Sequence, residues 1–250
     1  MIRFLLFLAS VLSVLSPASP AFAQAPQQRH IAAHLISETD TPAAGSMVSL
    51  AIEMRPEPGW HGYWKNPGDS GTKPAVRWTL PHGAAAGALQ YPVPERLIVG
   101  GLMNYVYDAP YALLLDVRVP QGLAAGTPLP IRGRFDYLVC TTKVCVPERA
   151  DLALDLRVGA PGAPLVRRAA FDRFRRALPR PLSSEARFEA SGGRFRLAIP
   201  LPATSGEEEP YFFPLTDGAA AHSRYWETGP RRRGSSTRPV HRSPSWGATK

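Results

Sequence analysis

The chain is poor in the residues that most catalytic and metal-binding motifs require. It has two cysteines and six histidines in 250 residues, too few for a fold held together by several disulfides. The one spaced histidine pair, His30 and His34, would lie ~13 Å apart on an extended strand and could not share a metal. No metal and no cofactor is therefore expected. There is no G-x-S-x-G, no H-E-x-x-H and no phosphate-binding glycine loop, which excludes the common hydrolase and nucleotide-binding layouts. Asp69-Ser70 in "NPGDSG" imitates a serine-protease motif but lacks the upstream His and Asp segments that such chemistry needs.

Long apolar runs are also missing after the N-terminus; none approaches the ~20 residues of a spanning helix. Acidic residues are nearly absent from the C-terminal stretch. Residues 223–250 hold six arginines, Lys250 and a single acid, Glu227, so +6 of the net charge of +9 sits there. The remaining 222 residues carry +3, which excludes a strongly basic nucleic-acid-binding body.

What is abundant is turn chemistry: 27 prolines and 21 glycines alongside 44% hydrophobic residues. Short elements around a real core are expected, hence a mostly β fold. The first 23 residues read as a secretory signal, with Arg3, an apolar run from Phe4 to Leu15, and Ala21-Phe22-Ala23 as a cleavage site. Export to a bacterial periplasm is the expectation.

"HIAAHLISETD" and "SMVSLAIEMRP" read as two strands joined at "TPAAG". In the second, Val48, Leu50, Ile52 and Met54 share one face and Met47, Ser49, Ala51 and Glu53 the other. "AVRWTLP", "YALLLDVRVP", "PIRGRFDYLVC" and "ADLALDLRV" are further strands. "GWHGYWKNPGDSGTK" and "YPVPERLIVGGLMNYVYDAP" read as irregular connections. Strand-sized segments with turn signals about every ten residues predict an antiparallel β-sandwich, over residues 24–160. A proline-bounded, arginine-rich segment with Leu165, Ala169 and Phe171 or Phe174 at helical spacing predicts a short helical linker, 161–182. An incomplete second β unit, 183–218, is expected to hold a hairpin around Ser191-Gly192-Gly193. Residues 219–250 have no period and the composition of a disordered tail, which a frameshift would also produce.

Both cysteines lie in "DYLVCTTKVCVPERA", separated by Thr141, Thr142, Lys143 and Val144. Strand-like flanks make a hairpin the simplest local structure, with the two Cα atoms ~4.5–5.5 Å apart, a separation that permits a disulfide. A six-residue closed loop stabilises by only roughly 2 kcal/mol in the chain-entropy expression. That is little for a staple between segments already paired, so the pair is either an inert link or a redox centre. Lys143 would favour a thiolate modestly, or be a solvated loop residue.

Taken together and in order, "GWHGYWKNPGDSG", "WTLPHG", "YPVPERL", "MNYVY" and "DYLVCTTKVCVPE" resemble the periplasmic N-terminal domain of the DsbD and ScsB thiol:disulfide interchange proteins, the disulfide-bond corrector family. The resemblance covers residues 28–160 well and 161–218 more loosely. It implies an immunoglobulin-like β-sandwich in which Cys140 and Cys145 are the exchanging pair, Cys145 forming the mixed disulfide. It also implies aromatic residues that cover the pair, which nominates Tyr63, Trp64, Tyr105 and Tyr107; the alternative for each is a core aromatic, a reading at least as good for Trp64. The implied partners are periplasmic thioredoxin-fold proteins of the disulfide-isomerase or cytochrome c maturation type, and a membrane electron-transfer domain. This sequence has no such membrane spans and no C-x-x-C, so that domain would act in trans or has been lost by truncation, and truncation is our reading. The alternative is a non-redox β-sandwich binding domain with an inert hairpin disulfide.

Overall fold

The computed structural model describes residues 29–181, 185–191, 194–199 and 211–215. The signal-like segment 1–23, the loop at Gly192-Gly193 and the stretch 219–250 lie outside the described residues. In chain order the elements are β1 (Ile31–Ser37), β2 (Met47–Pro56), β3 (Gly62–Gly68), β4 (Ala75–Thr79), β5 (Ala85–Ala86), β6 (Glu95–Val99), β7 (Leu102–Tyr107), β8 (Tyr111–Arg118), β9 (Pro128–Cys140), β10 (Cys145–Arg157), α1 (Arg168–Ala177), β11 (Arg187–Ser191) and β12 (Arg194–Ala198). All strand pairings within the sheets are antiparallel. Among the described residues the fold is an immunoglobulin-like antiparallel β-sandwich with one short helix and a separate hairpin, as the sequence predicts.

One layer is β1-β2-β8-β5 and the other is β10-β9-β4. Period-two alternation builds the core between them. Val48, Leu50, Ile52 and Met54 of β2 point inward, joined by Leu113, Leu115 and Val117 of β8. The opposing layer supplies Leu129, Ile131, Phe135, Tyr137 and Val139 of β9. The other face of β2 and β8 is apolar at its centre, where Ala51, Ala112 and Leu114 receive Phe171 of α1, which is fully buried. Arg175 in the last turn of α1 pairs with the buried carboxylate of Glu38. The helical segment therefore docks on the sandwich rather than merely linking it to the hairpin β11–β12.

The two stretches read as irregular contain strands. β3 pairs with β7, and β7 with β6, in a small third sheet. Its regularity is hidden in the sequence for local reasons. β3 carries a register shift between Tyr63 and Gly68, a bulge that Asn66-Pro67-Gly68 forces. The β6–β7 turn is Gly100-Gly101, both at positive φ, the conformation a two-residue hairpin loop favours.

Candidate functional site

β9 and β10 pair without interruption from Pro128↔Arg157 to Cys140↔Cys145. The two cysteines close the tip of this ribbon and are joined by a disulfide. Beyond them Thr141 N–H donates to the Val144 carbonyl at 2.8 Å, and the Thr141 hydroxyl accepts from the N–H groups of Lys143 and Val144, both at 3.1 Å. Thr141 thus shapes the loop, and Lys143 is exposed at its tip. Because the hydrogen-bonded pair is Thr141–Val144, the cysteines occupy the close, non-hydrogen-bonded position next to it. Their Cα atoms are 4.1 Å apart, nearer than the predicted ~4.5–5.5 Å, as the covalent link draws the strands in.

The two sulfurs have unlike surroundings. Cys140 is 1% exposed, whereas Cys145 is exposed. On its free edge Cys140 exchanges two backbone bonds with His61, one donated by His61 N–H at 2.9 Å and one by Cys140 N–H at 3.0 Å. This bridge brings the start of β3 alongside the disulfide. Alternation then sets the Tyr63 side chain on the cysteine face, and its hydroxyl donates to Cys140 Sγ at 3.1 Å. Tyr63, Val106 and Cys140 form one buried cluster, with Leu97 and Leu138 packed at its edge. Burial pushes the Tyr63 phenol above its ordinary value, the Ser70 hydroxyl pulling weakly the other way. Tyr63 therefore stays a protonated donor across the physiological range.

The end of β3 and the loop after it, Asn66–Thr72, hold that ring in place. Gly71, at φ +99°, lies flat on Tyr63; a Cβ there would fall 2.3 Å from a ring carbon. Ser70 Oγ donates to Asn104 Oδ1 at 2.5 Å. Asp69 binds both backbone groups of Met103, its own N–H to the carbonyl at 2.7 Å and its carboxylate to the N–H at 2.8 Å. So "NPGDSG", which imitates a protease motif, is the clamp that ties the Tyr63 ring to β7.

Of the four aromatics nominated from the sequence, Tyr63 is the one the structure brings to Cys140. Trp64, Tyr105 and Tyr107 alternate to the opposite face and join the main core. Trp64 and Tyr105 meet edge to face at 6.0 Å, with Phe213 against both. Tyr107 stacks on Tyr111 at 4.1 Å and donates to the Pro92 carbonyl. The residue of "NYVY" that reaches the cysteine is the one between the tyrosines, Val106. Its contact and that of His61 were missed in the sequence; strict alternation from Tyr63 would have found His61.

Comparison with known proteins shows the family and the fold. A family model described as "Thiol:disulfide interchange protein DsbD, N-terminal" matches residues 31–156, half of the chain. Among solved structures, the N-terminal periplasmic domain of ScsB from Proteus mirabilis is similar, with TM-score 0.54 and 19% identity. That match covers 69% of this chain and 65% of the ScsB chain, a likeness of fold. The reduced N-terminal domain of Neisseria meningitidis DsbD aligns at 16% identity over 57% of this chain and 96% of its own, with TM-score 0.29, too low to argue from. No curated protein matches the chain.

Proposed function

The chain belongs to the family of the DsbD N-terminal domain, and from that premise we propose that it is a periplasmic thiol–disulfide exchange module working through Cys140 and Cys145. The observation that carries the reading is the asymmetry of the pair. One sulfur is open to a partner, and the other is buried under a hydrogen-bond donor.

The chemistry follows from that asymmetry. An incoming thiolate reaches Cys145 Sγ, forms a mixed disulfide there, and releases Cys140 as a thiolate. A leaving thiolate is a far stronger acceptor than a disulfide sulfur, so the Tyr63 bond strengthens as the S–S bond breaks. The donor's second thiol resolves the mixed disulfide and leaves a dithiol. In the forward direction the Cys145 thiolate attacks the disulfide of a downstream protein, and Cys140 displaces that protein in its reduced form. The family's general association is with thioredoxin-fold proteins. The partners proposed for this chain are those of the disulfide-isomerase or cytochrome c maturation type, with electrons arriving from a membrane domain.

The test is single-turnover exchange between the reduced chain and an oxidised thioredoxin-fold protein, read by thiol mass-tagging. Transfer to completion is expected. Tyr63→Phe should fold normally and slow the reductive opening of the oxidised chain by about tenfold, since a hydrogen bond to a charged group contributes roughly 1.5–3 kcal/mol. Absence of exchange in the wild type would refute the proposal.

A further inference from the structure

We propose that His61 is the proton acceptor that activates Cys140 as the resolving thiol, an inference that rests on the exchange role proposed above. His61, the residue before β3, lies in one cross-strand row with Cys140 of β9 and Cys145 of β10: His61 bridges Cys140 on one side and Cys145 pairs with it on the other. Directly opposed residues of an antiparallel pair put their side chains on the same face, with Cα atoms ~5.5 Å apart in a hydrogen-bonded pair. The imidazole therefore stands beside the Cys140 side chain. Its ring meets Tyr63 edge-on at 5.5 Å, and Tyr63 is the residue that donates to Cys140 Sγ. The buried sulfur thus has a donor and a base on one face.

The base answers a chemical need. An ordinary thiol near pKa ~8.5 is only a few per cent thiolate at pH 7, and a buried one is less ionised still. Cys145 is exposed and ionises against water, but Cys140 is 1% exposed and needs a local acceptor. Burial lowers the pKa of His61, and Asp108 partly offsets this. The imidazole is consequently neutral at pH 7, able to accept a proton, while Asp108 favours the imidazolium once formed. The groups on its side of the row are Tyr63, two residues on in β3, Cys140 of β9 directly opposite, and Asp108 after β7; Cys145 lies beyond Cys140. Neither ring nitrogen has a hydrogen-bond partner among the described residues, which leaves one free for the thiol proton.

The step balances. With Cys145 in a mixed disulfide, the Cys140 S–H proton passes to the imidazole, and the thiolate attacks Cys145 Sγ. The Cys145–partner bond breaks, the partner sulfur departs with the electron pair, and the imidazolium returns the proton to it or to water.

The experiment uses the full reduced chain and the aromatic disulfide 5,5′-dithiobis(2-nitrobenzoate), whose thiolate product is coloured. Attack by Cys145 releases the first equivalent and resolution by Cys140 the second. In the wild type the second phase should level off above the imidazole pKa and fall as pH drops through it. In His61→Gln that phase should be on the order of 100-fold slower at pH 7 and rise tenfold per pH unit toward the thiol range. The first phase should be unchanged. In His61→Ala, added imidazole should restore much of the second phase, a rescue that a purely structural histidine would not show. Thermal unfolding of the oxidised variants identifies which are folded, and His61→Asn substitutes for any that is not. A second phase with wild-type rate and pH profile in the folded variants overturns the proposal. A wild type that releases no second equivalent would instead refute the exchange reading itself.

Discussion

Cys140→Ser should convert the chain into a trap. In periplasmic extract the variant is expected to accumulate a covalent complex through Cys145, because the attacking thiol is retained and the resolving thiol is gone. Cys145→Ser should accumulate on the order of tenfold less, since the remaining sulfur is 1% exposed beneath Tyr63 and Val106 and a buried thiol is a poor nucleophile toward a protein disulfide. Non-reducing electrophoresis with antibody detection reads both. The difference between the variants is the sharper result, because both remove the same disulfide and lose the same loop constraint. Equal trapping would mean that partners reach both sulfurs, and the division of labour argued from burial would fail.

The second large effect is expected at Gly71, about as far from evident chemistry as the sequence allows. Gly71→Ala places a methyl group 2.3 Å from Tyr63 Cε1, at a backbone φ of +99°. The conformation alone costs roughly 1–2 kcal/mol for an L-residue, and the overlap adds about 1–3 kcal/mol of overpacking. The ring cannot yield freely, since its hydroxyl is bound to Cys140 Sγ and the loop around it is tied to β7 by Ser70 and Asp69. Gly59→Ala is the control. It sits at φ +84° with nothing within 4 Å of the added carbon, so it carries the conformational cost without the overlap. Chemical denaturation should show Gly71→Ala the less stable of the two. Reductive opening of the disulfide should slow by about tenfold in Gly71→Ala and not in Gly59→Ala, matching loss of a hydrogen bond to a charged group. If both variants exchange like the wild type, the clamp does not position Tyr63.

The sandwich was legible because its strands obey the simplest rule, alternation against a single core. Val48, Leu50, Ile52 and Met54 fall on the inner face as that rule requires. The cysteine hairpin was legible for the same reason, its flanks being long and regular. The third sheet was not legible. A bulge at Asn66–Gly68 and a Gly-Gly turn broke the pattern of β3 and of β6–β7 into what reads as loop. That loss propagated to the site. Without knowing that "NYVY" is a strand, Tyr105 and Tyr107 look like the natural cover for the cysteines. Once alternation is applied, they turn into the core and Val106 faces the sulfur. Likewise, Phe171 carried the helix signal, but its landing place, the apolar outer centre of β2 and β8, depends on Ala51 and Leu114 sharing a face, which only strand pairing establishes.

Whether the Cys140–Cys145 bond is labile decides between exchange and an inert link, and the direct measurement is its reduction potential. The chain would be equilibrated in glutathione or dithiothreitol buffers of graded potential and the dithiol fraction read by mass-tagging. An exchange module should titrate well above about −300 mV and reach equilibrium rapidly, within range of periplasmic thioredoxin-fold partners. A potential below about −300 mV with slow equilibration would identify an inert link, and the chain would then be a binding sandwich rather than a carrier of electrons.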